Sequence, residues 1–286
     1  MQEKAEPGYR AVTGRDKLTP TRELPRAFWR AVGRTAAGRA VARRALERGL
    51  RIATERRAGS YVPYELVSAA FGRDLVISIP PAGLTHWMLS HARGPDGAIL
   101  LRDSFLAAGD WRPLVHDLCH SSLVREVQEM FAADLDYRRT ASYEALVDAV
   151  RSKGAIGHNY VHMDSPDKVD AYFEHHRWLI DSIRKHGLLP RREVADNPLI
   201  APNGRAYRPK RLERKEEDVG VAIGPNGELY RFRGGFHRTA IAQCLGLERM
   251  PVAVKLVHAD WLLRKMEECR LPAAEALLAG VEELGR

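Results

Sequence analysis

Residues 219–257 read VGVAIGPNGELYRFRGGFHRTAIAQCLGLERMPVAVKLV, and their pattern decides the kind of fold to expect. Val219 to Gly224 is an apolar run of strand length, Pro225-Asn226-Gly227 supplies turn residues, and Leu229 to Gly234 returns as the hairpin partner. Two glycines then interrupt the chain, His237 to Leu245 has helical spacing, and Met250 to Val257 is apolar through its centre, as a buried strand is. Strand, hairpin, helix and buried strand in that order predict an α/β fold.

A strand that runs through Gly234 and Gly235 into a helix leaves backbone N–H groups unpaired at the helix start, where glycine adds no side chain to block an anion. The helix dipole adds to the attraction, and His237 and Arg238 set an imidazole and a guanidinium fork beside the same point. Such turns also occur without function, so spacing alone leaves a phosphate cradle and an ordinary turn as alternatives.

Outward from this block, Ser165 to His186 predicts a long helix. Ser165 with Pro166 fits its start, and Gly187 followed by Pro190 its stop. Residues 188–218, dense in charge, proline and glycine, read as a long connection. Residues from about 105 to 165 read as a helical insertion, with Leu123, Val124, Val127, Met130 and Phe131 at helical spacing. LVISIP (Leu75 to Pro80) and AILL (Ala98 to Leu101) are expected strands.

Residues 27–60 form a basic amphipathic extension in which Phe28, Trp29, Val32, Val41, Leu46 and Leu50 recur among nine arginines, with weak points at Gly33 and Gly38. Three uses fit it: a docked helix with solvated arginines, an interfacial helix on an anionic membrane surface, or a nucleic-acid contact. Residues 1–26 read as a leader without a fold, so the main domain is expected over 61–286.

The chain has 45 Lys and Arg against 37 Asp and Glu, a net charge of +8 that favours an anionic partner. Three cysteines without a C-x-x-C pair argue against a disulfide framework or a cysteine zinc site. No apolar run approaches a membrane span and the N-terminus lacks a signal-peptide core, so a cytoplasmic protein, at most peripheral on the membrane's inner face, is expected.

The block Arg233-Gly-Gly-Phe-His-Arg-Thr-Ala-Ile-Ala, followed by Leu245-Gly-Leu and Met250-Pro-Val-Ala-Val, resembles the ParB/sulfiredoxin superfamily. Its members share a hairpin, a Gly-x-His-Arg-type loop, a helix, a Leu-Gly and an Ile-Pro-Val strand. Leu179-Ile-Asp-Ser-Ile-Arg-Lys-His-Gly-Leu-Leu-Pro is similar to the helix that precedes them in that fold. The resemblance covers residues 168–261 and implies a ParB/sulfiredoxin-like core, with Gly234, Gly235, His237, Arg238 and Thr239 on the phosphates of ATP or another nucleoside triphosphate. Sulfiredoxins carry their reactive cysteine where this chain has Phe236, which argues against that activity. The partitioning members carry a helix-turn-helix domain after the loop, and 25 residues follow Trp261 here, so a partitioning role is not expected.

What the resemblance implies instead is an ATP-dependent kinase, and the basic N-terminal extension motivates a small-molecule or lipid-linked acceptor. The alternative is a nucleotide-sensing or nucleic-acid-binding module; a nuclease lacks a supporting carboxylate–lysine cluster. Phosphoryl transfer also needs a Mg2+ ligand or base. Asp110 is the favoured metal ligand and catalytic carboxylate, His237 and Glu174 are further catalytic candidates, and Asp103 and Asp218 are alternatives. His116/His120 and His158/His162 share the His-x-x-x-His spacing that on a helix sets two imidazoles on one face, although ordinary histidines satisfy it equally. His175 and His176 either line the nucleotide pocket or cover a helix face. Trp178, Trp261 and Cys244 are expected to be buried.

Overall fold

The computed structural model describes residues 10–11, 28, 31–33, 35–56, 62–94, 97–101, 104–159, 161–190 and 218–286. Among them the strands are β1 (Arg10–Ala11), β2 (Val76–Ile79), β3 (His86–Met88), β4 (His91–Gly94), β5 (Gly97–Leu100), β6 (Leu106–Ala107), β7 (Val115–Asp117), β8 (Ile156–His158), β9 (Val161–Met163), β10 (Gly220–Ile223), β11 (Leu229–Arg231) and β12 (Met250–His258). The helices are α1 (Ala36–Arg56), α2 (Tyr64–Phe71), α3 (Ser122–Ala132), α4 (Ala141–Lys153), α5 (Pro166–His186), α6 (Phe236–Cys244), α7 (Ala259–Cys269) and α8 (Ala273–Leu284). The architecture is mixed α/β.

The sheet grows around β12, whose apolar run lets it be buried on both sides. One edge pairs in parallel with β10; the other takes β2 antiparallel along Met250–Ala253 and β6 in parallel at Val257–His258. Beyond β10 the order continues through β11 and β3 to β7, seven strands in all. The hairpin β10–β11, the helix α6 and the strand β12 fall where the apolar periods predict them.

Three apolar clusters hold the layers. Alternate side chains of the strands, Val221, Ile223, Val252 and Val254, join α1, α2, α7 and α8 in the first. The second gathers α3, α4, α5 and α6 around Tyr172, Phe173 and Ile180. The third is smaller and includes Ala222, Leu256, Phe232 and Trp111. Trp261 is buried as expected, but Trp178 is only half-buried and Cys244 is exposed.

Several expectations change. Arg10 and Ala11, read as part of a leader, form a strand against β4. The first α-helix of the 105–165 insertion begins only at Ser122, after two short 3-10 turns; the part before it supplies β6 and β7 to the main sheet. Strands of two or three residues are too short to show a period of their own and exist because a partner pairs with them. The basic extension breaks at Gly33, and Thr35 Oγ1 then accepts the Gly38 N–H at 3.0 Å to start α1.

The helix α1 is docked. Its stripe of Ala42, Leu46 and Leu50 is wholly buried, which withdraws that stripe from lipid, while Arg44 and Arg48 stay exposed. Glu47 accepts the backbone N–H groups of Ala273 (3.1 Å) and Ala274 (2.7 Å), so its charge meets the positive end of α8. Trp29 lies outside the described residues. Among the described residues no helix is long and apolar enough to cross a membrane.

Candidate functional site

After β11 the chain reverses through three consecutive left-handed residues, Arg233 (φ 61°), Gly234 (φ 78°) and Gly235 (φ 88°), and Gly235 caps α6. A side chain at Gly235 would place its Cβ 2.8 Å from Val219 Cγ2 and 3.1 Å from Val219 Cα, so helix start and strand approach too closely for anything but glycine. At Gly234 a Cβ would point into open space, with nothing within 4 Å. The turn is thus closed on its strand side and open on the other. Arg231 braces it: Nη1 donates to the Gly234 carbonyl at 2.9 Å, and the guanidinium lies 3.3 Å from the Phe236 ring centroid. Across a trans peptide the carbonyl and the following N–H point oppositely, so this bond directs the Gly235 N–H away from Arg231.

Cationic side chains converge here from separate elements. Val221 pairs with Val254 and Ala222 with Leu256, which leaves Lys255 as the extra residue of a β-bulge. The bulge turns Lys255 inward, where Nζ donates to Tyr64 OH at 2.7 Å and sits 4.3 Å from the ring centroid. The Arg233 guanidinium stands 5.6 Å from the same ring. Arg231, Arg238 and Lys255 are all buried. Lys255 and Tyr64 were not read as site residues; the available signal was a lysine inside an otherwise apolar strand.

His237, the second residue of α6, faces inward to a network that sequence reading missed. Glu126 of α3, with its side chain only 4% exposed, receives His158 Nε2 at 2.6 Å on one oxygen. Its other oxygen takes the Tyr172 hydroxyl at 2.7 Å and His237 Nε2 at 3.2 Å. Tyr172 OH is also 3.2 Å from His237 Nε2, and the ring of His176 lies 4.0 Å from that of His237. Burial opposes the charge on Glu126, yet the hydrogen bonds and charges of His158 and His237 outweigh it and hold the carboxyl well below the usual range. Burial, with the charges of His237 and His175, pushes His176 well below the ordinary histidine value, so its ring stays neutral. His176 Nδ1 donates to the Tyr172 carbonyl at 2.8 Å. Of the two readings of His175 and His176, His176 belongs with the site residue His237.

Gly234, Gly235, His237 and Arg238 therefore come together at one turn. Thr239 does not reach its open side: it is wholly buried, with its hydroxyl enclosed. Asp110 sits elsewhere. The carbonyl of Gly109 accepts from His258 Nε2 at 2.9 Å, at the far end of β12, whereas the Gly235 turn adjoins Val219, which bonds Ala253 N. At the rise of a β-strand those levels are roughly 15 Å apart. Asp110 pairs with Arg112, whose side-chain hydrogen bonds hold it at about 2. Glu174 is also apart. It lies on the exposed side of α5, taking the Tyr137 hydroxyl at 3.2 Å and pairing with Arg177 at 3.1 Å.

Asp218 immediately precedes Val219 and so adjoins the turn. Asp103 lies outside the described residues. In neither histidine pair do the two rings share a helix. His116 is in β7 against Trp87, with His120 exposed beyond it; His158 turns inward to Glu126 while His162 is exposed. Among the described residues no group of three His, Cys, Asp or Glu is arranged to hold a metal ion.

Comparison with protein-family models, with curated proteins and with solved structures returned no match for this chain.

Proposed function

We propose that this chain is a nucleotide-dependent phosphotransferase with a ParB/sulfiredoxin-like core, holding nucleoside-triphosphate phosphates at the Arg233–Arg238 turn and passing the terminal phosphoryl group to a small-molecule or lipid-linked acceptor. The observation that carries the reading is the turn itself. Three left-handed residues open on the Gly234 side and lead into a helix N-terminus, with Arg231, Arg233, Arg238, Lys255 and His237 around them. Backbone N–H groups at a helix start and clustered guanidinium donors are what a polyphosphate recognises.

The open space above Gly234 fits a phosphate, which a Cβ there would displace. Phosphate oxygens and water supply most of the oxygen ligands of Mg2+, so one protein carboxylate suffices, and Asp218, next in sequence to Val219, is the candidate for it. When bound, the ion neutralises charge on the phosphate oxygens. Asp110 and Glu174 have no part in this reading because of where they lie. The exposed Arg44 and Arg48 of α1 support an approach to an anionic surface or nucleic acid by the outer side of a docked helix.

Calorimetry with ATP, CTP and GTP in the presence of Mg2+ tests the reading on the native chain and on Gly234→Ala. One nucleotide is expected to bind at micromolar strength, with the alanine variant weakened about tenfold or more by the methyl group over the turn and its left-handed backbone. Absence of binding by all three nucleotides would remove the proposal. Binding without phosphoryl transfer to any acceptor would leave a nucleotide sensor instead.

A further inference from the structure

We infer that Glu126 is a positioning residue for His237, and that it couples phosphate binding at the turn to uptake of a proton on His237 Nδ1. The inference rests on the reading of the turn as a phosphate site and adds to it a part of the molecule that the turn does not contain.

The argument is an inventory of protons. The Glu126 carboxylate is buried and meets three donors, from β8 (His158), α5 (Tyr172) and α6 (His237). An ionised carboxylate only accepts, so the nitrogen that each ring turns toward it must carry the proton. Both His158 and His237 are therefore fixed with hydrogen on Nε2. Tyr172, whose own O–H goes to the same carboxylate, stands 3.2 Å from that nitrogen and keeps it from turning away.

With Nε2–H committed inward, Nδ1 is the nitrogen that His237 has left for a ligand, and about a tenth of the side chain, 11%, remains exposed. A neutral ring of this tautomer presents a lone pair at Nδ1. An ionised phosphate oxygen also presents lone pairs, so the two can bond only if Nδ1 gains a proton. Proton arrival from solvent makes the ring cationic, with Glu126 on one side and the phosphate on the other. His176, stacked on His237 from α5, is kept neutral by burial and adds no opposing charge. The same logic orients histidines in carboxylate–histidine pairs, where the partner of one nitrogen sets what the other can do.

The test is calorimetry of Mg-ATP binding at about pH 8, where the nucleotide is fully ionised, in buffers of different ionisation enthalpy. The native chain should take up a proton per nucleotide, approaching one as pH rises. In Glu126→Gln the amide no longer dictates the tautomer, so His237 is free to hold its proton on Nδ1 and donate it directly. Proton uptake should then fall toward zero and the affinity should lose its pH dependence. His176→Gln should keep the uptake.

A native binding heat that is the same in every buffer overturns the inference while the phosphate site stands. No binding of any nucleotide by the native chain removes the reading of the turn and this inference together. Should Glu126→Gln not fold, the native proton count remains decisive. Tyr172→Phe then serves as the second variant, expected to retain uptake but weaken binding by about threefold to tenfold through the lost brace.

Discussion

Glu126 and Asp110 are two carboxylates whose pKa is depressed, and they are held in opposite ways. Asp110 is half exposed and owes its shift to one neighbour two residues away, Arg112, in a bond that forms within a single turn of chain. Glu126 is buried and owes its shift to His158 and His237, the second of which lies 111 residues further along the sequence. The first shift reports local chemistry that solvent largely screens. The second reports an assembled site, because three elements must already be in place for the charge to be tolerated. A depressed carboxylate is informative about function only when its partners come from afar.

The sharpest way to break the comparison is Glu126→Ala, which strips the shared hydrogen-bond acceptor from two histidines and a tyrosine in the interior. It is expected to cost roughly 3–5 kcal/mol, read as a lowered urea midpoint. A smaller effect should appear in the pH dependence of stability. His176 has a depressed folded pKa, so as pH falls below about 6.5 the unfolded chain binds a proton that the folded chain does not, and stability declines. The Glu126 contribution is complete above the ordinary glutamate range and is lost as pH falls through and below it. Melting temperature followed downward from pH 8 should therefore fall in two stages, and His176→Gln should flatten the earlier one. The smallest effect belongs to Asp110→Ala: a melting temperature within about 2 °C of native, and nucleotide affinity unchanged. A large loss of nucleotide binding in that variant would place Asp110 at the turn and undo the distinction.

What was legible follows from the range of the forces involved. The hairpin, the Gly-Gly turn, α6 and β12 are written in periods and breakers within a 39-residue stretch, and they fold as read. The long helix α5 begins after Ser165 and ends before Gly187, as its cap and stop residues predict. The strands β6 and β7 were not legible, since pairing alone defines them. His237 could be named from its motif, but Glu126 and Tyr172 carry no local mark. One sits on an otherwise ordinary amphipathic helix, and the other reads as core aromatic until its hydroxyl is seen on a carboxylate. Lys255 was readable in principle because a charge in the middle of an apolar strand demands a reason. The sequence neighbours of Asp110, Gly109 and Trp111, serve the end of the strand at His258.

Glu47 carries one more consequence. Its bonds to Ala273 and Ala274 join positions 226 residues apart, so the first long helix leans on the last. During synthesis α1 emerges early with an apolar stripe whose cover includes α8, and it must wait for nearly the whole chain before that stripe is sealed. Contacts of such separation slow folding and leave sticky surface on show meanwhile. Like charge along the exposed arginines of α1 opposes the close approach of two such chains in that interval.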